Sequence, residues 1–152
     1  MAKQIEIEIR GITFTADMLE DKAPKTCRAI LGVLPLEAEG YHQVWSGQSL
    51  IIHSPVLIKA VEEQGLWPSS SFPDFRENAN IIGCPGELAL YPVGGSICIS
   101  YGKSLYGGSI GPEPSYHFAR ISADIDKLYE VGSTFRREGG QKIKIRLKNS
   151  QF

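Results

Sequence analysis

Two histidines have sequence surroundings that would suit chemistry on a small molecule. His42 lies on a predicted strand close to Trp45, and His117 opens another predicted strand after a loop rich in glycine and proline. An imidazole changes its protonation near neutral pH, so it can act as a general acid or base or bind an acidic group. We predict His42 and His117 as candidate catalytic residues, with a structural role as the alternative for each.

Aromatic and amide side chains near these histidines would form the rest of a site. Gln43 and Trp45 follow the first histidine directly, and Tyr91 and Tyr101 lie on later predicted strands, the second of them close to Tyr106. Aromatic side chains gathered around a histidine would form a pocket for a small, flat or acidic organic molecule. We predict ligand-binding roles for Gln43, Trp45, Tyr91 and Tyr101, with packing in the wall of the fold as the alternative for the tyrosines.

The spacing of the histidines does not favour a metal site. His42 and His53 are 11 residues apart, His117 is distant from both, and neither an HxH nor an HExxH pattern occurs. We therefore predict no metal and no cofactor, and we expect His53 to be structural. The absence of GxGxxG and of a complete P-loop also argues against a phosphate site.

Potential nucleophiles lack the neighbours that would activate them. Ser46, Ser96 and Cys98 are available, but no GxSxG pattern surrounds either serine. Cys98 stands between Ile97 and Ile99, so alternation along a strand places its side chain on the face opposite theirs. A packed thiol is the favoured interpretation of Cys98.

The composition is that of one globular domain covering residues 1–152. Hydrophobic residues make up 42% and charged residues 22% of the chain, and the net charge of −1 favours neither nucleic acid nor an anionic membrane as a partner. The N-terminal segment alternates from its start and has no apolar run typical of a signal peptide. Three cysteines without a CxxC pattern favour a reducing cytoplasm.

Alternation of apolar and polar residues predicts about eight strands. Ile5, Ile7 and Ile9 alternate with charged residues, and the pattern resumes after Gly11, which predicts a hairpin. The last strand carries lysine and arginine on its outer face, as an exposed edge strand would. The predicted strands span residues 5–9, 12–16, 41–45, 50–53, 88–91, 97–101, 117–122 and 142–148.

Two segments have the period of a helix. Four apolar residues at positions i, i+3, i+4 and i+7 predict a helix that begins after an N-cap at Asp21 and ends near Pro35. These residues are Cys27, Ile30, Leu31 and Leu34. Asp124 is predicted to cap a second helix that ends at Gly139 or Gly140.

Three further segments have no regular pattern that decides their structure. Residues 56–64 fit either a helix or an irregular excursion. Residues 67–75 and 102–115 are rich in proline, glycine and serine and are predicted to be loops, and long loops are often functional. The sum of the elements is a mainly β fold with two short helices, in which a closed, mostly antiparallel barrel is capped by the helices at its ends.

Several short motifs resemble those of known families. Residues 22–27, KAPKTC, resemble the start of the first helix of cyclophilins. The segments YHQVWSG (41–47), EN (77–78), PGELALYP (85–92), YG (101–102) and HFA (117–119) are similar to those of an uncharacterised bacterial and archaeal family with a cyclophilin-like fold. The resemblance covers roughly residues 22–122 and implies a cyclophilin-like β-barrel without an established activity.

The same resemblance argues against prolyl isomerisation. Cyclophilins use an arginine directly after a histidine, and the matching position here is the neutral Gln43. A neutral amide does not supply the charge that stabilises the twisted peptide bond. The downstream Gln-Gly-Gly-Asp signature of cyclophilins is also absent from the sequence.

Three functions follow as expectations, in order of preference. The first is a protein that binds or converts a small organic molecule in a pocket formed by His42, Trp45, Tyr101 and His117. The second is a non-catalytic assembly partner of an amidohydrolase-type enzyme, since the resemblance extends to barrels found in such assemblies. The third, disfavoured, is a peptidyl-prolyl isomerase. A homo-oligomer is expected because exposed edges of small barrels often pair.

Overall fold

Antiparallel strands form the body of the molecule in a computed structural model that describes residues 2–66 and 76–149. The described elements, in chain order, are β1 (Gln4–Ile9), β2 (Ile12–Met18), α1 (Pro24–Val33), β3 (Leu36–His42), β4 (Gly47–His53), α2 (Pro55–Glu63), β5 (Ala79–Asn80), β6 (Ile82–Gly83), β7 (Glu87–Tyr91), β8 (Ser96–Leu105), β9 (Gly107–Gly108), β10 (Gly111–Pro112), β11 (Ser115–Ile121), α3 (Ile125–Glu138) and β12 (Gln141–Leu147). No helix in these two ranges is long and apolar enough to cross a membrane.

Eight of the described strands close into a barrel. Their order is β2-β1-β12-β3-β4-β8-β7-β11, and β11 pairs with β2 to complete the circle. Every pairing around the barrel is antiparallel. The predicted closed, mostly antiparallel barrel is therefore confirmed.

Alternation along the strands decides which side chains fill the barrel. Ile5, Ile7 and Ile9 are fully buried in the main core, as their period-two pattern predicts. Ile97 and Ile99 belong to the same core, whereas Cys98 between them belongs to a separate small cluster on the outside of the wall. Cys98 thus lies opposite its two neighbours, as predicted.

The first helix begins later than predicted and is capped differently. Helix α1 starts at Pro24, its N-cap position is Ala23, and no side chain of that residue caps the helix. The backbone amides of Lys25 and Thr26 instead donate to the carboxylate of Glu77, at 3.0 and 2.7 Å. The prediction of Asp21 as the N-cap was wrong, because the partner of the first turn comes from a distant part of the chain.

The undecided segment near residue 60 is a third helix. Helix α2 has proline at its first turn and buries Leu57 and Val61, which are four residues apart and so share one face. It packs against α1. The expected count of two helices was therefore too low, because the sequence left this segment undecided between a helix and an irregular excursion.

Helix α3 follows Asp124 and ends at Gly139, as predicted. Asp124 occupies the N-cap position with a positive φ of 58°, but its side chain makes no capping hydrogen bond. Gly139 has a φ of +83°, a conformation that glycine adopts without strain, and its amide donates to the carbonyl of Phe135. The end of the helix was thus correctly located, whereas the reason for its start was not.

The last strand is not an edge. β12 pairs with β1 on one side and β3 on the other. Its charged side chains instead meet glutamates of those neighbours on the outer face, where Arg146 lies 2.7 Å from Glu6 and Lys142 lies 2.9 Å from Glu37. A charged outer face is equally typical of a solvated barrel wall, so it did not identify an edge.

Two predicted boundaries near the candidate site also differ. The strand predicted at residues 41–45 is the end of β3, and residues 43–46 form the turn into β4. The loop predicted at residues 102–115 begins with four more residues of β8 and continues as a small hairpin of β9 and β10. The predicted loop at residues 67–75 lies outside the described residues.

Candidate functional site

A cavity of about 400 Å³ lies on the outer face of the barrel wall. We call it the wall pocket. Its described lining residues come from the end of β3 and the turn after it, from β4, β7 and β8, and from the hairpin region before β11. They are Tyr41, His42, Gln43, Val44, Trp45, Ser46, Ile51, His53, Tyr91, Cys98, Tyr106, Gly107, Gly108, Glu113 and Ser115.

The floor of the wall pocket is apolar. Ile51 and Cys98 are register partners on β4 and β8, and Cys98 packs with Ala89 and Tyr106 in a buried cluster. Burial raises the pKa of the Cys98 thiol to about 12, so the thiol stays protonated at neutral pH. The side-chain amide of Gln43 donates to the Cys98 sulfur at 3.1 Å. Both groups therefore belong to the structure of the floor.

A tyrosine and a glutamate form the polar end of the wall pocket. The hydroxyl of Tyr91 donates to the carboxylate of Glu113. Burial first, and then the hydrogen bond and the negative charge of Glu113, raise the pKa of Tyr91 to about 12. The backbone amide of Glu113 donates to the carbonyl of Tyr106 at 3.1 Å, which attaches this residue to the hairpin region. A neutral phenol thus holds the carboxylate in place.

Exposed side chains form the rim. Val44 is 82% and Trp45 62% exposed, and Tyr41 is half exposed. Val44 and Trp45 lie on a turn that two backbone hydrogen bonds hold in place. The amide of Gln43 donates to the carbonyl of Ser49, and the amide of Leu105 donates to the carbonyl of Ser46. Large apolar side chains on a well-held turn are available to cover a ligand.

His42 uses both of its ring nitrogens within the protein. Nδ1 lies 2.9 Å from the carbonyl oxygen of Gln43, which can only accept, so this nitrogen carries a proton. Nε2 lies 2.8 Å from the hydroxyl of Tyr101. With this tautomer the phenol donates to Nε2, and His42 has no ring nitrogen left for a ligand.

Tyr101 does not line the wall pocket. It is 1% exposed in the main core, and its ring packs against Tyr129 and the backbone of Gly132 on α3. The structure therefore places Gln43, Trp45, Tyr91 and His42 around one cavity. Tyr101 lies outside this cavity and is connected to it by its hydrogen bond with His42.

His117 lies at a different cavity. Its Nδ1 is 2.6 Å from a carboxylate oxygen of Glu87, and both residues line a polar cavity of about 240 Å³ together with Lys22, Asn78 and Arg120. His117 is 6% exposed, and its Nε2 has no hydrogen-bond partner among the described residues. The expected convergence of both histidines on one pocket is not observed.

Tyr106 separates the two cavities. Its ring meets that of His117 edge-on at a centroid distance of 5.6 Å, and its hydroxyl lies 3.0 Å from that of Ser100. Tyr106 also lines the wall pocket. His117 is therefore in contact with the back of the wall pocket but not with its interior.

Sequence reasoning missed two polar residues of the site. Glu113 belongs to the predicted loop 102–115, whose length is typical of functional loops. Nothing in the local sequence distinguishes Glu113 from Glu87 or Glu77. His53 was expected to be structural, and its Nδ1 does lie 2.6 Å from the hydroxyl of the buried Ser96, yet it also lines the wall pocket. Residues 2–66 and 76–149 contain no group of three or more histidine, cysteine, aspartate or glutamate side chains that could hold a metal ion.

Solved structures share this fold at low sequence identity. McbB in complex with tryptophan is 22% identical with a TM-score of 0.73, and the match covers 98% of this chain and 46% of McbB. The chain thus spans about half the length of McbB. A hypothetical protein from Archaeoglobus fulgidus is 17% identical with a TM-score of 0.59, covering 96% of this chain and 95% of that one.

Cyclophilins are structurally similar as well. A cyclophilin-type peptidyl-prolyl isomerase from Cryptosporidium parvum, solved in the presence of the dipeptide Ala-Pro, is 9% identical with a TM-score of 0.57, covering 97% of this chain and all of that one. At such identities these likenesses show the fold alone, and the fold is cyclophilin-like, as predicted. No curated protein matches the sequence.

A family match covers nearly the whole chain. It extends over residues 5–147, from the first barrel strand to the last, and so includes every described residue of the wall pocket. The matching family is described as a protein of unknown function, in agreement with the uncharacterised family that the motifs predicted. The chain belongs to the DUF3830 family.

Proposed function

We propose that this protein binds a small organic molecule with a flat aromatic part in the wall pocket. The observation that carries the proposal is a cavity of about 400 Å³ that combines aromatic side chains with a carboxylate and an imidazole. Ligand pockets in proteins typically measure about 300–1,000 Å³, with mostly apolar walls and a few polar groups that orient the ligand.

The rim supplies the apolar surface that such a ligand would cover. Trp45 and Tyr41 present rigid, exposed rings at the mouth of the pocket. Covering apolar surface gains about 25 cal/mol per Å² removed from water, and aromatic pairs add roughly 0.5–1.5 kcal/mol. A flat ligand between these rings would therefore gain affinity without a large change in the barrel.

The shared fold supports a ligand of this size. McbB, whose barrel resembles this chain, was solved with tryptophan bound. An aromatic amino acid combines a flat ring with an ammonium group, and the wall pocket offers aromatic side chains for the ring and the Glu113 carboxylate for the ammonium group. The proposal concerns binding, since His42 has both ring nitrogens engaged and the Cys98 thiol is protonated.

Fluorescence titration tests the proposal. Trp45 is one of two tryptophans, so a Trp67→Phe background isolates its signal. We expect indole and related aromatic compounds to change Trp45 emission in a saturable manner. Calorimetry of the same compounds should show binding to the wild type and a loss of about tenfold in Trp45→Ala, the effect of about 1.4 kcal/mol.

A matched control comes from another exposed apolar residue. Val56 is half exposed on α2 and lines a different cavity, so Val56→Ala should bind with wild-type affinity. Binding that is equally strong in Trp45→Ala, or the absence of saturable binding of any aromatic compound, would contradict the proposal.

A non-catalytic assembly partner is the second candidate, and exposed apolar side chains favour it. Val44, Leu105 and Ile110 are all more than half exposed in the region of the wall pocket. An apolar surface of this kind is typical of protein contacts as well as of ligand sites. Light scattering of the wild type and of Val44→Ser tests whether this surface joins copies of the chain, because the substitution should then lower the measured mass, whereas a ligand site alone would leave it unchanged.

A further inference from the structure

The wall pocket carries an unbalanced negative charge. Glu113 is the one carboxylate among its described lining residues, and none of those residues is a lysine or an arginine. No lysine or arginine of the described ranges pairs with Glu113 either.

The hydrogen bonds of Glu113 hold its carboxylate without neutralising it. Tyr91 donates one hydrogen bond to it, and an ionised carboxylate can accept about four hydrogen bonds. Tyr91 remains a neutral phenol at physiological pH, so it orients the carboxylate but leaves the charge. Among residues 2–66 and 76–149, this half-buried carboxylate beside an apolar floor therefore has no lysine or arginine partner, and a cationic ligand group would stabilise its charge.

The backbone of the hairpin is shaped around this carboxylate. A Cβ on Gly108 would lie 3.2 Å from the carboxyl carbon of Glu113, closer than most side chains tolerate. The absence of that atom lets the carboxylate lie against the hairpin and next to Tyr91. Two separate parts of the chain thus position the carboxylate, namely the hairpin region that contains Gly108 and Glu113, and β7, whose Tyr91 donates a hydrogen bond to it.

Aromatic rings that line the wall pocket together with Glu113 would complement a cation. A positive group within about 6 Å of the face of a tryptophan or tyrosine is attracted to the negative face of the ring. Tyr41 and Trp45 line the same cavity as Glu113. An ammonium group could therefore meet the carboxylate while the flat part of its molecule lies along these rings.

We propose that the natural ligand of the wall pocket is an aromatic amine in its protonated form, with the carboxylate of Glu113 as the partner of the ammonium group and Tyr91 as the residue that positions it. This inference rests on the proposed function and names its ligand class. A cationic ligand differs from the acidic ligand that the histidines suggested in the sequence, because the negative charge of Glu113 would repel an acid.

Three probes of equal ring size test the charge preference. Indole is neutral, tryptamine carries an ammonium group, and indole-3-acetate carries a carboxylate. By calorimetry at neutral pH and low salt, we expect tryptamine to bind about tenfold more tightly than indole, the effect of one charge-assisted hydrogen bond, and indole-3-acetate to bind more weakly than indole.

Two variants assign the preference to its residues. Glu113→Gln should lower the ratio of tryptamine affinity to indole affinity from about tenfold to about one, because it removes the charge and keeps the size of the side chain. Tyr91→Phe should retain the negative charge of Glu113 and lower the ratio of tryptamine affinity to indole affinity only in part, because the carboxylate loses the hydrogen bond that positions it. Glu62→Gln is the matched control, since Glu62 is an exposed acid on α2 away from the wall pocket.

The two proposals fail in different ways. If indole binds and tryptamine binds no better, or if Glu113→Gln keeps the advantage, the charge inference is overturned while the proposed function stands. If none of the three probes binds to the folded wild type, both are overturned. Circular dichroism of each variant separates lost folding from lost binding, and the tryptamine to indole ratio within one variant is independent of its stability.

Discussion

His42 and His117 have different surroundings although the sequence made them equal candidates. His42 donates to a backbone carbonyl and contacts a core tyrosine, so it links the turn of the wall pocket to the interior of the barrel. His117 pairs with Glu87 behind Tyr106. Their roles as catalytic residues stay predictions. In the structure each histidine holds neighbouring groups in position, His42 the turn and Tyr101, and His117 the carboxylate of Glu87.

Cysteine reactivity is a prediction at the scale of single residues. Burial raises the pKa of both Cys27 and Cys98 to about 12, and their thiolate fraction at pH 8 is therefore negligible. Cys84 is exposed. We expect iodoacetamide at pH 8 to alkylate Cys84 alone in the folded protein, as measured by peptide mass spectrometry.

Unfolding provides the control for this measurement. In denaturant all three cysteines should react, because the burial that raises the two pKa values is lost. Rapid alkylation of Cys98 in the native protein would mean that the floor of the wall pocket opens, which would contradict its role as packed structure.

At the scale of elements, the start of α1 depends on Glu77. Its carboxylate accepts from the amides of Lys25 and Thr26 and from the Thr26 hydroxyl, and its negative charge lies at the positive end of the helix. We expect Glu77→Ala to lower the free energy of unfolding by about 1–2 kcal/mol in urea titrations. Glu77→Gln should lose less, because an amide oxygen still accepts.

The exposed Glu62 serves as the control for Glu77. It lies near the end of α2, and Glu62→Ala should change stability by less than about 0.5 kcal/mol. Equal effects of the two alanine variants would show that the contact between residue 77 and α1 contributes little to stability.

Two helical glycines give opposite expectations for the same substitution. A Cβ on Gly132 of α3 would lie 2.3 Å from the ring of Tyr101, whereas one on Gly32 of α1 would meet nothing within 4 Å. We expect Gly132→Ala to destabilise by about 1–3 kcal/mol through overpacking. Gly32→Ala should stabilise by about 0.5–1 kcal/mol through helix propensity.

Thermal and urea unfolding of the two alanine variants measure this difference. A stabilising Gly132→Ala would mean that α3 moves away from Tyr101 at little cost. In that case the contact between α3 and the end of the barrel would not hold the hydrogen bond between Tyr101 and His42 in place.

At the scale of the whole molecule, the barrel does not by itself predict isomerase activity. Gln43 is neutral, and its amide is engaged with the sulfur of Cys98. We expect a standard proline-peptide assay to show the uncatalysed rate, because no positive charge is available from this residue. High turnover that disappears in Gln43→Ala would overturn this expectation.

The oligomeric state stays a prediction, but its original reason is removed. The sequence predicts β12 as an exposed edge, but the strand is paired on both sides in a barrel closed by β2 and β11. Association through the closed barrel would therefore not use β12 as a free edge, whereas exposed side chains such as Val44 and Trp45 are available for contacts.

The sequence by itself determined where most of the barrel strands lie, where two of the helices run and which family of folds they form. Ile5, Ile7 and Ile9 show why, since burial on one face of a strand leaves a period of two that can be read locally. The motifs then placed the chain in a cyclophilin-like family, and Trp45, Gln43 and Tyr91, predicted to act with His42, line the same cavity as this histidine.

Only the tertiary structure decided what those residues meet. Glu113 and His53 are 60 residues apart and line one cavity because β4, β8 and β7 are neighbours in the barrel and the hairpin region folds over their outer face. His117 was excluded from that cavity by the intervening ring of Tyr106. Strand order and the packing of one ring are non-local, so no local pattern in the sequence records them.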